Sequence, residues 1–379
     1  MLDRPQTTGT EFVVSVHRTL PDDWPGVADL GDARGHVFQT REFLNLWLET
    51  FVAAAGIDAR FVDVRDPTGA LVLRVPLSID TRRGLRTLGF ADQSTADYCA
   101  PLLYPTTIVW TPELADALWA AIEAALPPVD RVRLEKMPAM VSDRVNPLFL
   151  LRTEVNPESC HGSDLLRPWS EIEATQTQLK TLKRKARALE KLGPVAFVVA
   201  TDEADRQRLL SRLLAQKQRR FEDTKVPGFA ESPETKRFFE RATDVYAELG
   251  VLHLAALEVG GELVATSWTV AVGSTIYELM IGFEDGEWAK YSPGRVLNLR
   301  YLEWAKSQGF AYLDHGIGDE AWKHENCDTH VPLSRMVVLR TARGRRAARR
   351  TALVARLRLT RLYQALRPWK WIVKRALKR

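Results

Sequence analysis

The sequence predicts a mixed α/β fold: two successive units, each a mixed β-sheet flanked by helices, then a basic helical tail. Three observations carry this. Residues 252–317 read as hairpin, strand, helix, strand. Residues 11–138 repeat that order in weaker form. Residues 340–379 hold twelve Arg, three Lys and no Asp or Glu, which sets them apart from the rest of the chain.

The first unit, residues 11–165, follows a segment 1–10 with no structural pattern, read as disordered. Alternation from Glu11 to His17 predicts a strand, and Leu44, Trp47, Leu48 and Phe51 recur at helical spacing. Arg60–Arg65 and Ala70–Leu77 read as strands around the turn Asp66-Pro67-Thr68-Gly69. Leu114, Leu118, Ile122 and Leu126 form a helical stripe ended by Pro127-Pro128, and Val132 and Leu134 close the unit. Residues 152–170, rich in Pro, Ser and Gly, read as a linker, and the Cys160-His161 pair within them as incidental.

The second unit, residues 170–339, opens with a basic helix at about 174–192. A strand Val195–Val199 and helices at 203–220 and 236–249 follow. Three strand patterns come next, at 252–257, 262–270 and 275–282, with Gly260-Gly261 turning the first hairpin. Pro293-Gly294 then starts a helix whose apolar stripe is Val296, Leu297, Leu299, Leu302, Trp304 and Ala305. A helix N-terminus carries unpaired N–H groups and partial positive charge, so this turn either holds a pyrophosphate or only reverses the chain.

Composition bounds the function classes. No apolar run of about 18 residues is present, and MLDRPQTTGTEF has no apolar signal region, so the expectation is a cytosolic protein. Three scattered cysteines form no Cys/His zinc motif, so neither a metal nor a disulfide framework is expected. Outside the tail, the remaining 38 basic residues face 48 acidic ones, an acidic body with a basic tail. An anionic partner for 340–379 follows: a membrane surface, a nucleic acid or an acidic protein. Leu353, Leu357, Leu362, Leu366 and Trp369 recur among arginines at near-helical spacing. This pattern suits peripheral attachment at the inner membrane face.

The run YSPGRVL…LEWAKSQGF…LDHGIGDEAWKHE resembles the C-terminal part of the GNAT-like acyltransferases, in the branch with CelD-like cellulose-biosynthesis proteins that is related to the Fem aminoacyl-tRNA transferases. The resemblance extends over roughly residues 35–335. It includes Phe38-Gln39-Thr40-Arg41-Glu42-Phe43-Leu44 with Trp47, Leu73-Arg74-Val75-Pro76-Leu77, Leu85 to Gly89, Asp97-Tyr98, and the basic Lys180 to Gly193. Trp322 stands where that family more often has Tyr. The resemblance implies two tandem GNAT-like units and acyl transfer from acetyl-CoA or another acyl-CoA to an amine or hydroxyl, in polysaccharide or envelope metabolism. It also leaves open an aminoacyl-tRNA donor, or a non-catalytic scaffold of a membrane synthase.

Acyl transfer needs a held donor, a proton acceptor and an oxyanion donor. For the donor, the expected contacts are Ser292, Pro293, Gly294, Arg295, Val296 and Leu297, with Arg295 either on phosphate or on a solvated helix face. Proton removal is expected from Asp319, His315 or Asp314, with Asp97 and Glu320 as further candidates. Asp319 follows a Gly-Ile-Gly turn and matches an acid of the family, though it also suits a helix cap. His315 alternates to the opposite face from Asp314. Asp97, Tyr98, Trp322, Lys323, Lys183 and Arg187 are the expected acceptor or anion contacts; each also has a plain structural reading, as a turn, core or surface residue. With no positioned Cys or Ser nucleophile, the acceptor attacks the thioester directly.

Overall fold

The computed structural model describes residues 11–52, 56–226 and 228–358. The expected disorder of 1–10 and most of the apolar stripe of the tail lie outside them.

The first half contains β1 (Val13–His17), α1 (Arg41–Trp47), β2 (Asp58–Arg65), β3 (Leu71–Arg82), β4 (Leu85–Phe90), β5 (Leu102–Leu103), α2 (Pro112–Ala125) and β6 (Arg131–Pro138). Helix α2 starts where Thr111 Oγ1 accepts from Leu114 N and Pro112 occupies the first turn, which needs no N–H. A small hairpin, β7 (Met140–Val141) and β8 (Arg144–Val145), precedes β9 (Glu154–Val155) and β10 (Cys160–Asp164).

The second half runs α3 (Trp169–Ala174), α4 (Leu179–Leu189), β11 (Val195–Val199), α5 (Glu203–Thr224), α6 (Pro233–Glu248), β12 (Leu252–Val259), β13 (Glu262–Val272), β14 (Thr275–Phe283), α7 (Pro293–Ser307), β15 (Tyr312–Ile317), α8 (Ala321–Asn326), β16 (Thr329–Val331), β17 (Leu333–Leu339) and α9 (Ala342–Arg358). The single basic helix expected at 174–192 is broken into α3 and α4 by Gln178, which sits in the left-handed region at φ 57°.

Two mixed sheets carry the same plan, as the sequence leads one to expect. The first has strand order β1-β2-β3-β4-β6-β17-β9, the second β11-β12-β13-β14-β15-β10-β16. Each opens with four antiparallel strands and takes one parallel step through a helix, β4–α2–β6 or β14–α7–β15. The next strand of each sheet comes from the other half: β17 completes the first and β10 the second. The segment read as a linker therefore contains a buried strand. Its sequence, CHGSD, has no apolar alternation, and it is buried because β15 and β16 flank it on both sides.

One apolar core spans both halves, with Phe38, Phe43 and Phe51 of the first beside Phe238 and Tyr277 of the second. The Phe43 and Phe238 rings meet edge to face with centroids 5.4 Å apart. The halves are thus held in fixed register across the site described next.

Candidate active site

Strands β14 and β15 pair in parallel only at Thr275↔Tyr312, Ile276↔Leu313 and Tyr277↔Asp314. Beyond that point the strands split. The register of β14 with β13 also slips there, between Met280 and Glu278, so Leu279 is an extra residue in a bulge. A bulge leaves backbone groups outside the ladder. In the first half, β4 and β6 pair only at Thr87↔Arg131 and Leu88↔Val132. Beyond that pairing Cys99 N donates to Lys136 O at 2.9 Å, so the chain's own loop runs along β6 there.

The split in the second half leads into a cleft of about 280 Å³ between Ile281 and Phe283 of β14, the start of α7, and Trp322 and Asn326 of α8. At its edge Ser292 takes a left-handed conformation, φ 52°, and Pro293 fills the first helical position. The N–H groups of Arg295 and Val296 turn back to Ser292 O at 3.0 and 3.1 Å, whereas Gly294 N has no partner among the described residues. Lys185 of α4 donates to Ser292 Oγ at 2.7 Å and brings an ammonium to the turn. A Cβ at Gly294 would stand 2.9 Å from Phe283 Cδ1, so glycine keeps this corner open. Arg295 does not face solvent: its Nη2 donates to Thr177 O at 2.5 Å and Asn326 Oδ1 at 3.0 Å, clamping the segment between α3 and α4, and α8, onto α7.

At the split itself both halves contribute side chains. Tyr98 Oη donates to Asp314 Oδ2 at 2.6 Å, and Gly316 N to Asp314 Oδ1 at 2.7 Å. Burial pushes the Asp314 carboxyl up to about 6, against the pull of these donors, His315 and Lys323. Half-buried Asp97 lies against Gly316, whose φ of +70° and missing Cβ leave room for the carboxylate. Burial first, then the Asp314 charge, pushes Asp97 up to about 7, with Lys136 and Lys323 opposing. Asp97 makes no side-chain hydrogen bond among the described residues, and Lys136 fixes its loop through Asp92 Oδ2 (2.8 Å) and Ala96 O (2.7 Å).

One residue past the last backbone pair, side chains bridge the split. His315 Nδ1 lies 2.9 Å from Glu278 Oε2, and Ser267 Oγ donates to Glu278 Oε1 at 2.8 Å. Burial raises the Glu278 carboxyl, but the ring, its charge and the hydroxyl together hold it below its ordinary value. An ionised carboxylate only accepts, so Nδ1 carries a proton toward it. The Trp322 ring meets the His315 ring edge on at 5.4 Å, separating it from the cleft. Lys323 is buried, not a surface lysine, and donates to Ile317 O at 2.8 Å and Gly316 O at 3.2 Å.

The remaining expected residues sit elsewhere. Asp319 accepts from His161 Nε2 of β10 at 2.9 Å, on the side of β15 away from β14. That hydrogen bond, from a buried ring, holds Asp319 below its ordinary value. Val296 and Leu297 are core residues of α7. Lys183 and Arg187 are exposed on α4, with Lys183 2.8 Å from Glu173. Burial pushes up all three thiols, Cys327 to about 12 and Cys99 and Cys160 well above the ordinary thiol value. Sequence reasoning passed over Glu278 as a strand residue, although a carboxylate between Ile276 and Met280 on a buried strand is itself a signal.

Residues 176–324, less than half of the chain, match the profile of the family described as "Acetyltransferase (GNAT) domain". No curated protein matches the sequence. Among solved structures, FemX superposes with TM-score 0.50 at 11% identity, covering 80% of this chain and 93% of its own. A conserved protein of unknown function from Bacteroides thetaiotaomicron VPI-5482 gives TM-score 0.48 at 12% identity, covering 79% and 90%. L-PGS from Bacillus licheniformis gives 0.44 at 13%, covering 81% and 93%. The likeness to FemX is one of fold, and residues 176–324 are similar to an acetyltransferase-type GNAT domain.

Proposed function

We propose that this chain moves an acyl group, acetyl in the simplest case, from acyl-CoA to an amine or hydroxyl of a saccharide or envelope precursor. The observation that carries the reading is the split between β14 and β15, with a glycine-cornered helix N-terminus on the adjoining cleft. Coenzyme A lies with its pyrophosphate at Gly294 N and the Lys185 ammonium, and its thioester at the split. The acceptor enters from the Asp97 side, where the two halves meet. Its nitrogen or oxygen attacks the thioester carbon and passes its proton to Asp97. The carbon–sulfur bond then breaks and the thiolate leaves, taking up a proton. Backbone N–H groups freed at the Leu279 bulge receive the oxyanion. A carboxylate titrating near 7 suits proton transfer at neutral pH. His315 and Glu278 act as a bridge that holds the split at a fixed width.

A second reading takes the acyl group from aminoacyl-tRNA. It is favoured by Lys180, Lys183, Arg184 and Arg187, all exposed on α4 beside the cleft, since phosphate contacts dominate RNA affinity. Thermal shift of the full chain with acetyl-CoA, longer acyl-CoAs and charged tRNA separates the readings. A ligand of the native state raises Tm by mass action. A rise with an acyl-CoA alone supports the proposal, a rise with charged tRNA alone supports the second reading, and no rise with any donor supports a non-catalytic scaffold.

The tail is proposed as a peripheral anchor. Among the described residues, no helix is long and apolar enough to cross a membrane. Within α9, exposed Leu353 and Val354 stand among arginines, the composition of an interfacial helix.

A further inference from the structure

Three of the chain's seven histidines, His161, His324 and His330, converge with Asp319 at the far edge of the second sheet. They come from four segments: strand β10, the turn after β15, helix α8 and the edge strand β16. His161 and His330 are direct antiparallel partners, so their side chains leave the same face of the sheet. Their ring centroids are 5.1 Å apart, and the His161 and His324 rings are 4.7 Å apart. Nothing in the acyl-transfer reading uses this cluster, and no spacing motif along the chain announces it.

We propose that His161, Asp319 and His324 bind a divalent transition-metal ion, zinc in the first instance. Zinc bonds of about 2.0–2.2 Å in tetrahedral geometry put neighbouring donor atoms roughly 3.3–3.5 Å apart. Asp319 Oδ1 is 2.9 Å from His161 Nε2 and 3.7 Å from His324 Nε2, values on either side of that spacing. The three donor atoms all lie within 4.8 Å of one another. Two imidazoles and one carboxylate suit zinc and its neighbours rather than magnesium or calcium, which prefer all-oxygen shells. The residues differ in burial in a useful way. The His161 side chain is 2% exposed and anchors the site, whereas those of Asp319 and His324 are 33% and 53% exposed and give an ion a path from solvent. A fourth position is open to water or, after a rotamer change, to His330. The bound ion would tie α8 to β10. Because α8 carries Trp322 on the cleft wall and Lys323 at the split, metal binding would stiffen one side of the donor cleft.

The test uses the full chain, stripped with a chelator, and titrates it calorimetrically with ZnCl₂, with MgCl₂ as control. Co²⁺ serves as a spectroscopic probe. The expected result is one Zn²⁺ per chain at about 1 μM or tighter, no heat with Mg²⁺, and d–d bands of low-symmetry Co²⁺. His324→Ala removes an exposed side chain from the surface of a helix and leaves folding intact; it and Asp319→Asn each weaken Zn²⁺ at least about tenfold. His330→Ala serves as the neighbouring-histidine control and costs less than His324→Ala. Absence of Zn²⁺ heat and of Co²⁺ bands in the wild type overturns the site. So does equal Zn²⁺ affinity in the wild type, His324→Ala and Asp319→Asn.

Discussion

The Tyr98 hydroxyl donates to Asp314 Oδ2 at 2.6 Å across 216 positions of sequence. The pair joins the two halves at the last residue where β14 and β15 still hold together. It makes the split a property of both units rather than of the second alone. Tyr98→Phe keeps the ring, which stacks on His36 at 4.3 Å, and removes only the donor. Hydrogen bonds to charged groups contribute about 1.5–3 kcal/mol. The expected loss of stability in urea unfolding is of that order, with Asp314 rising further in pKa. Unchanged stability would remove this bond from the account.

Asp97→Asn separates chemistry from folding. The Asp97 carboxyl is pushed up to about 7 from an ordinary 3.8. Between those values the folded state binds more protons than the unfolded state, so this group's contribution to stability falls as pH rises from about 4 to 7. Asparagine removes that fall, and the variant gains in Tm over the wild type as pH rises to 8. Its turnover drops by about 10²–10⁴-fold, and the rising limb of the pH–rate profile near 7 disappears. Full turnover on the true acceptor would move the base elsewhere. Asp319→Asn and His315→Gln, compared in the same assay, say where.

Glu278→Gln tests the side-chain bridge. The amide oxygen still accepts from His315 Nδ1, but the buried ring loses its ionised partner. Removing the charge of a buried pair costs on the order of 1–3 kcal/mol. Widening of the split should raise KM for the acyl donor more than it lowers kcat. A loss confined to kcat would instead assign His315 and Glu278 a role as a base dyad.

The tail prediction is read by sedimentation with anionic liposomes. The start of α9 is fastened to the first half by Thr341 Oγ1 donating to Asp130 Oδ1 at 2.6 Å and by the Arg340–Glu123 pair. A chain ending at Arg350 keeps both contacts. Each basic residue at an anionic surface contributes about 1 kcal/mol. Pelleting of the full chain at low salt, and its loss in the shorter chain, is expected; equal behaviour of the two rules the anchor out.

Much of this fold was legible because its signals are local. The alternation of 275–283, the Gly260-Gly261 hairpin and the Pro293-Gly294 helix start each depend on residues a few positions apart. The exchanged strands are different. Cys160–Asp164 and Leu333–Leu339 owe their places to partners in the opposite half, and the first has a polar sequence that local periodicity passes over. The site divides in the same way. The Ser292–Gly294 turn and the Asp97-Tyr98 pair were visible as short motifs, and they flank the cleft and the split. Arg295 reads as either a phosphate contact or a solvated helix residue, yet Thr177 and Asn326 draw it inward. Asp319 was expected at the chemistry, but His161, 158 residues away, takes it to the other side of β15. No spacing rule connects residues so far apart.

The central claim is that coenzyme A binds with its phosphates at the N-terminus of α7. It is tested most directly by calorimetric titration of coenzyme A into the wild type and Gly294→Asp. An acid in the first turn suits the helix dipole, so the variant folds, but its Cβ crowds Phe283, 2.9 Å away in the wild-type geometry, and its charge meets the pyrophosphate. The account predicts saturable binding by the wild type and at least about tenfold weaker binding by the variant, a change of roughly 1.4 kcal/mol. Equal affinity of the two proteins would contradict it.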